Sequence, residues 1–252
     1  MDAERCRELS AYLIKWDAHI QKYIGRHCNP AGKRILVVGS GWGSEVYWAL
    51  SRGATYVLGI DPAERDDAPL RLAITETPNI RNDQLFKLVR ARIEDYAEGE
   101  ETFDYVVSNN TIEHIFGLAT TLMSMRRHMK KGSRIALFAN PLYYSSAGAH
   151  IPECQPWQHL WDSQENIKAI TSAVNMKQYT AGLNGFTLSD FISAFREAGT
   201  LCLDLSIVAD RNLPTLANFQ DRIPPGIKPF DYSIEGIVAL LTFPEFAQEA
   251  IR

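Results

Sequence analysis

The sequence predicts an α/β chain built on a doubly wound, mostly parallel sheet. Two observations carry that expectation. Short apolar runs alternate with helical stretches between residues 31 and 139, and runs that are apolar throughout mark strands covered on both faces. Where the first run ends, a glycine-rich loop, Gly39-Ser40-Gly41-Trp42-Gly43, leads straight into a helical stretch. There a ligand can approach the backbone closely.

The elements follow in order. Residues 4–24 read as an amphipathic helix, with Leu9, Leu13, Trp16, Ile20 and Ile24 at three- and four-residue spacing. Asn29-Pro30-Ala31-Gly32 breaks it, so residues 1–30 read as a helical cap and 31–252 as one domain. Strands are predicted at Arg34–Val38 and at residues 56–60, 85–89, 105–108 and 134–139. Helices are predicted at Ser44–Ser51 and at residues 66–75 and 118–129. After Asn140-Pro141 the rhythm stops. Residues 141–186 are irregular, aromatic-rich and hold His150 and His159, the pattern of a lid or an acceptor-binding insertion. A helix at 187–198 and a strand at 201–208 follow. The stretch 209–231 holds four prolines and is assigned no shape, and a last strand is expected at 236–243.

Composition limits the function classes. The chain has 252 residues, 46% hydrophobic and 22% charged, a globular balance that excludes a disordered chain. A net charge of −4 without a basic stripe interleaved with aromatics argues against nucleic acid. Cys6, Cys28, Cys154 and Cys202 form no CxxC pair and read as reduced thiols. The longest apolar runs, at 135–139 and 237–241, fall far short of a bilayer span of about 20 residues. The N-terminus starts acidic without an apolar stretch behind it. A cytoplasmic protein with no membrane partner is expected.

The glycine loop has GxGxG spacing. In the dinucleotide fingerprint GxGxxG the third glycine would fall at Ser44. Asp61 ends the second apolar run, about 20 residues past the loop, where a carboxylate can accept hydrogen bonds from both hydroxyls of a ribose. Asp61-Pro62 also reads as the opening of a turn or helix, and the two roles are compatible.

Together these features resemble the class I S-adenosylmethionine-dependent methyltransferases. The loop, the Asp61 strand end, Phe103-Asp104-Tyr105-Val106-Val107-Ser108-Asn109-Asn110, Thr111-Ile112-Glu113-His114-Ile115 and Met129-Lys130-Lys131-Gly132-Ser133 stand in the family's order. The resemblance covers residues 32–139. It implies a seven-stranded Rossmann-like sheet closed by a C-terminal antiparallel pair, preceded here by a helix and interrupted by the insertion after the fifth strand. It also implies S-adenosylmethionine as cofactor, held by Gly39, Ser40, Gly41, Gly43, Asp61, Pro62, Ile93, Glu94 and Asn109. Two departures stand out. Val37 occupies the position of an acid that helps hold the methionine ammonium, for which Glu45 or Asn109 could compensate. Arg92 stands where the adenine-binding stretch often carries an acid.

Methyl transfer from a sulfonium is an in-line displacement, so orientation matters most. A hydroxyl acceptor also needs a general base. His114, His150 and His159 are the candidates, and each reads equally as a packed histidine bound to a backbone carbonyl. The segment Ala149-His150 to Trp157-Gln158-His159-Leu160 is similar to an insertion in some small-molecule and sugar methyltransferases. Tyr143, Tyr144 and Trp157 are candidates for lining the acceptor pocket. The spacing of Glu113, His114, His150 and His159 is not diagnostic of a metal site, and none is assigned. His19, His27 and His128 are assigned no chemistry. The N-terminal helix reads as a lid over the cofactor, a homodimer surface or a core helix.

The leading expectation is O-methylation of a small molecule, a natural product or a sugar, with a histidine base. The alternatives are N- or C-methylation, or an inert cofactor-binding scaffold motivated by Val37. A nicotinamide oxidoreductase is disfavoured by the loop spacing and by the lack of a Tyr-x-x-x-Lys pair.

Overall fold

Helix α1 (Ala3–Tyr23) opens the chain, with Asp2 as its cap accepting from the Arg5 backbone N–H at 2.8 Å. The computed structural model describes residues 1–78, 80, 86–96, 101–172 and 182–249. Leu9, Leu13 and Ile20 line the buried face of α1, in the three- and four-residue rhythm of the sequence. Helix α2 (Ser44–Ser51) lies against it. The Trp48 indole N–H donates to Gln21 Oε1 at 3.0 Å, and the Arg52 guanidinium pairs with Asp17.

Among the described residues, seven strands form one sheet: β1 (Arg34–Val38), β2 (Tyr56–Asp61), β3 (Phe86–Arg90), β4 (Phe103–Asn109), β5 (Met129–Ala139), β6 (Leu201–Ala209) and β7 (Ile234–Thr242). Their order is β3-β2-β1-β4-β5-β7-β6, with β7 antiparallel to both neighbours and the other pairs parallel. This is the doubly wound sheet with a C-terminal antiparallel pair that the sequence predicts. Alternation along the strands divides the core. Leu36, Val38, Leu58, Ile60 and Leu137 face helices α4 (Leu118–Arg126) and α7 (Leu188–Glu197). Ile35, Val37, Val57, Ala136 and Phe138 face α1, α2 and α3 (Ala68–Thr75). The strand order reverses between β1 and β4, and a crevice at their carboxyl ends is the usual ligand site of such sheets.

Several boundaries differ from expectation. The fourth helix ends at Arg126, not 129, because the chain is already pairing as a strand there: the His128 carbonyl accepts from Phe103 N at 2.9 Å. Helix α3 begins at Ala68, since Asp66 instead turns back to accept from Ala68 N at 3.0 Å. The third strand starts at Phe86; Leu85, expected to begin it, lies outside the described residues. The last strand starts two residues early, at Ile234, and holds buried Glu235 because the Arg211 guanidinium pairs with that carboxylate.

The insertion winds through turns and two short helices, α5 (Gln158–Trp161) and α6 (Gln164–Ile170); its residues 173–181 lie outside the described residues. The proline-rich stretch forms 3-10 turns at Leu213–Asn218 and Gln220–Arg222 and a helical turn at Pro229–Tyr232, with prolines in first-turn positions that need no N–H donor. A buried carboxylate ties the two segments together. Asp210 accepts from Ser146 N at 2.6 Å, Ser146 Oγ at 2.7 Å and Asn212 N at 2.8 Å. No helix among the described residues is long and apolar enough to cross a membrane. All four cysteines are free.

Candidate active site

The loop after β1 is folded back on β2: Gly39 N and Ser40 N both donate to the Ile60 carbonyl. Gly39 (φ +79°) must be glycine, because a Cβ there would stand 2.2 Å from Thr111 Oγ1. Gly41 (φ +48°) faces open space, and a Cβ there would meet no atom within 4 Å. Asp61 holds this loop from β2. Its Oδ2 accepts from Gly41 N at 2.9 Å and its Oδ1 from Ala63 N at 2.8 Å. Each oxygen keeps a second acceptor direction.

A cavity of about 680 Å³ opens at the carboxyl ends of β1 to β4. Of the residues expected to hold a cofactor, Gly39, Gly41, Asp61, Pro62, Ile93 and Glu94 line it. Glu94 is held there by a short hydrogen bond from Thr121 Oγ1. Ser40, Gly43 and Asn109 do not line it. Ser40 is buried against Gly59, Gly43 caps α2, and Asn109 Nδ2 donates to Glu45 Oε1 at 2.8 Å. Val37 is fully buried on the α1–α3 face, so the position of the family's acid points into the core. Glu45 is buried as well, and desolvation raises its pKa to about 7 although Asn109 donates to it.

The three candidate histidines are brought together, but His114 alone among them lines the cavity. Its ring lies edge-on to His150, with centroids 5.3 Å apart. Each is tied to a backbone carbonyl: His114 Nδ1 to Gly182 O at 3.2 Å, His150 Nε2 to Pro141 O at 3.1 Å and His159 Nε2 to Tyr143 O at 2.6 Å. A carbonyl only accepts, so each of these nitrogens carries the proton. Desolvation lowers the pKa of all three; His114, which is exposed, is the least enclosed, and buried His159 is brought down to about 4. Tyr143 stands edge-on between Tyr144 and His159, and neither tyrosine lines the cavity. Trp157 lies elsewhere. It is fully buried among Ile223, Tyr232 and Phe219, with its indole N–H donating to the Tyr232 carbonyl at 3.0 Å. Among the described residues, no group of three His, Cys, Asp or Glu side chains is arranged to hold a metal.

Arg92, which stands where the family often carries an acid, lines the cavity too, as do Thr111 and Phe116, to which the sequence assigned no role; nor did it mark Asn184, which braces the turn carrying His114. An Asn-Gly turn signal at Asn184-Gly185 was the trace available for the last.

Glu113, beside His114, is buried with both carboxyl oxygens unpartnered. Desolvation pushes it up to about 8 despite the nearby backbone N–H groups of Glu113 and Asn140. Its folded value lies above its ordinary 4.5, so the stability it contributes is full below pH 4.5 and is lost as the pH rises through 8. Glu113→Gln is therefore expected to stabilise the fold at pH 8.5 by roughly 4–5 kcal/mol and to change little at pH 5. Thermal melts at the two pH values check this; equal effects at both would refute it.

Comparison with known proteins agrees with the fold. Residues 36–137 match a family described as a methyltransferase domain. A ubiquinone biosynthesis O-methyltransferase of Neisseria meningitidis is 36% identical over 96 residues, 37% of this chain and 38% of the relative. The chain thus aligns with well under half the length of that curated relative. A putative S-adenosylmethionine-dependent methyltransferase from Listeria monocytogenes shares the fold at a TM-score of 0.57 and 16% identity, over 92% of this chain and 100% of that one. A geranyl diphosphate C-methyltransferase from Streptomyces coelicolor, solved with S-adenosyl-L-homocysteine, does so at 0.58 and 12%, over 95% and 84%.

The cavity fits S-adenosylmethionine on its own chemistry. Gly41 leaves room for a ligand against the loop backbone. Asp61 offers two oriented acceptors to ribose hydroxyls, and Ile93 gives an apolar edge suited to a base.

Proposed function

We propose that this chain, whose residues 36–137 are a class I S-adenosylmethionine-dependent methyltransferase domain, methylates a hydroxyl of a small organic molecule with His114 as proton acceptor. The observation that carries the reading is that the glycine loop, Asp61 and His114 line one cavity. The cofactor supplies an activated methyl group on a sulfonium. Asp61 and the loop backbone bind and orient the nucleoside, and Ile93 and Glu94 flank its base. His114 takes the acceptor's proton at Nε2, the ring nitrogen that Gly182 leaves free. A hydroxyl acceptor is supported by the O-methyltransferase activity named for the Neisseria relative. Residues 1–30 act as a cap and 31–252 as one domain. The insertion stands beside the acceptor side, its His150 ring edge-on to His114, with Tyr143 and Tyr144 packed behind, next to His159. The enzyme is cytoplasmic, and its partner is the small-molecule acceptor.

Calorimetric titration with S-adenosylmethionine and S-adenosylhomocysteine, with NADH as control, tests the cofactor. Binding of the first two and not of NADH is expected. Asp61→Ala removes an acceptor for the ribose and also the anchor of Gly41, and should weaken binding by roughly 2–3 kcal/mol, about 30- to 150-fold in Kd. Unchanged affinity in that variant would remove Asp61 from the site. Absence of binding in the wild-type protein would favour an inert scaffold. A hydroxylated-acceptor screen that yields methylated amine or carbon instead would replace the hydroxyl reading.

A further inference from the structure

We propose that residues 182–184 form a clamp that positions His114, with Asn184 as the positioning residue; this rests on the reading of His114 as proton acceptor. His114 sits in a single 3-10 turn, Ile112–His114, directly after the end of β4. Within the turn region only two backbone bonds hold it, His114 N to Thr111 O at 2.9 Å and Ile115 N to Ile112 O at 3.2 Å. So short a turn specifies its side-chain directions poorly.

The bracing comes from a segment about 70 residues further along the chain. Asn184 Nδ2 donates to the carbonyls of Ile112 at 2.9 Å and Ile115 at 3.1 Å, bridging the two ends of the turn. Asn184 N donates to the Glu113 carbonyl at 2.7 Å. Asn184 Oδ1 accepts from Phe186 N at 3.0 Å, which fixes the orientation of the amide. Two residues earlier, the Gly182 carbonyl accepts from His114 Nδ1. Gly182 adopts φ +98°, and a Cβ there would press on the Phe116 ring at 3.2 Å. The segment therefore hydrogen-bonds to every residue from 112 to 115. A neutral imidazole exchanges between two tautomers, and a carbonyl at Nδ1 selects the one that leaves a lone pair on Nε2. Asn184 keeps that carbonyl and that ring in register. Its amide is suited to this because it supplies two donors and one acceptor from a single planar group.

The test is long-range 1H–15N NMR on histidine-labelled protein, run beside turnover, cofactor calorimetry and a thermal melt. Wild-type His114 is expected to carry its proton on Nδ1. Asn184→Asp keeps the volume of the side chain but loses both donated bonds. Gly182→Ala strains a backbone held at φ +98° and presses on the Phe116 ring, which is expected to shift the carbonyl. Each is expected to give mixed His114 tautomers and a loss of about 10- to 100-fold in kcat, with the Kd for S-adenosylmethionine within twofold. A merely structural brace would lower the melting temperature and leave the tautomer alone. The proposal is overturned if wild-type Nδ1 is unprotonated, or if the tautomer is unchanged in whichever of the two variants folds. A tautomer that moves without loss of turnover would instead uphold the clamp and sink the base assignment of His114.

Discussion

Replacing His114 with alanine is expected to lower kcat by about 10²- to 10⁴-fold, the usual contribution of a positioned general base, while leaving S-adenosylmethionine affinity within a few-fold. The asymmetry follows from position. His114 lines the cavity, but the groups expected to grip the nucleoside, Asp61 and the glycine loop, sit on β2 and after β1. Deleting the imidazole leaves those contacts intact. The pH profile has a defined sign. Partial desolvation holds the pKa of the otherwise exposed His114 below its ordinary 6.5, so the ring is neutral and able to accept a proton at pH 7. Turnover should therefore be flat near neutrality and fall as the pH drops through a value under 6.5. His150→Ala and His159→Ala should cost less. Neither ring lines the cavity, and the proton-bearing nitrogen of each faces the 141–143 backbone. Full turnover in His114→Ala, with the acceptor saturating, would show that no base acts at this position. An N-directed reaction would then be the better account, since a neutral amine attacks with its own lone pair and the ammonium formed loses its proton to solvent.

What the sequence revealed depended on how far apart the cooperating residues lie. Gly41 and Asp61 are 20 residues apart, joined by a helix and a strand whose patterns are plain, so their placement at one site was legible, though the Gly41 N–H bond that joins them was not. The burial of Val37 was legible too. Residues 35 and 37 share a strand face by period two, and both are core positions. Histidine roles were not. His114 acquires its tautomer from Gly182, 68 residues away, and no local pattern encodes a carbonyl arriving from that distance. Trp157 shows the same limit from the other side. Its aromatic character suited a binding pocket, but the Tyr232 carbonyl, 75 residues on, takes its N–H, and Phe219 packs beside the ring. Composition reports that a segment carries aromatics; direction is set by partners that only the fold brings near.

The same long-range logic makes Asp210 the residue whose loss should cost most in stability. Its carboxylate is almost fully buried and accepts three hydrogen bonds, two of them from Ser146 in the insertion. Asn212 Nδ2 in turn donates to Ser146 Oγ at 2.8 Å, and Asp210 N donates to the Ser233 carbonyl. Asp210→Ala leaves two backbone N–H groups and one hydroxyl without their acceptor at a buried position. Breaking a buried charged network of this kind costs about 3–5 kcal/mol. For a chain of this size that corresponds to a fall of roughly 10 °C in the melting temperature. Glu8→Ala, which removes an exposed pair with Arg5, should stay within about 0.5 kcal/mol and serves as control. The network also ties the insertion to the 209–231 loop, and Pro141 and Tyr143, whose carbonyls hold His150 and His159, lie within five residues of Ser146. Loosening it should therefore raise the protease sensitivity of the insertion before the sheet unfolds. A melting temperature within a degree of wild type, with the insertion still resistant, would mean that the two segments are held by their apolar contacts, chiefly Trp157 against Ile223 and Tyr232, and that the carboxylate is dispensable.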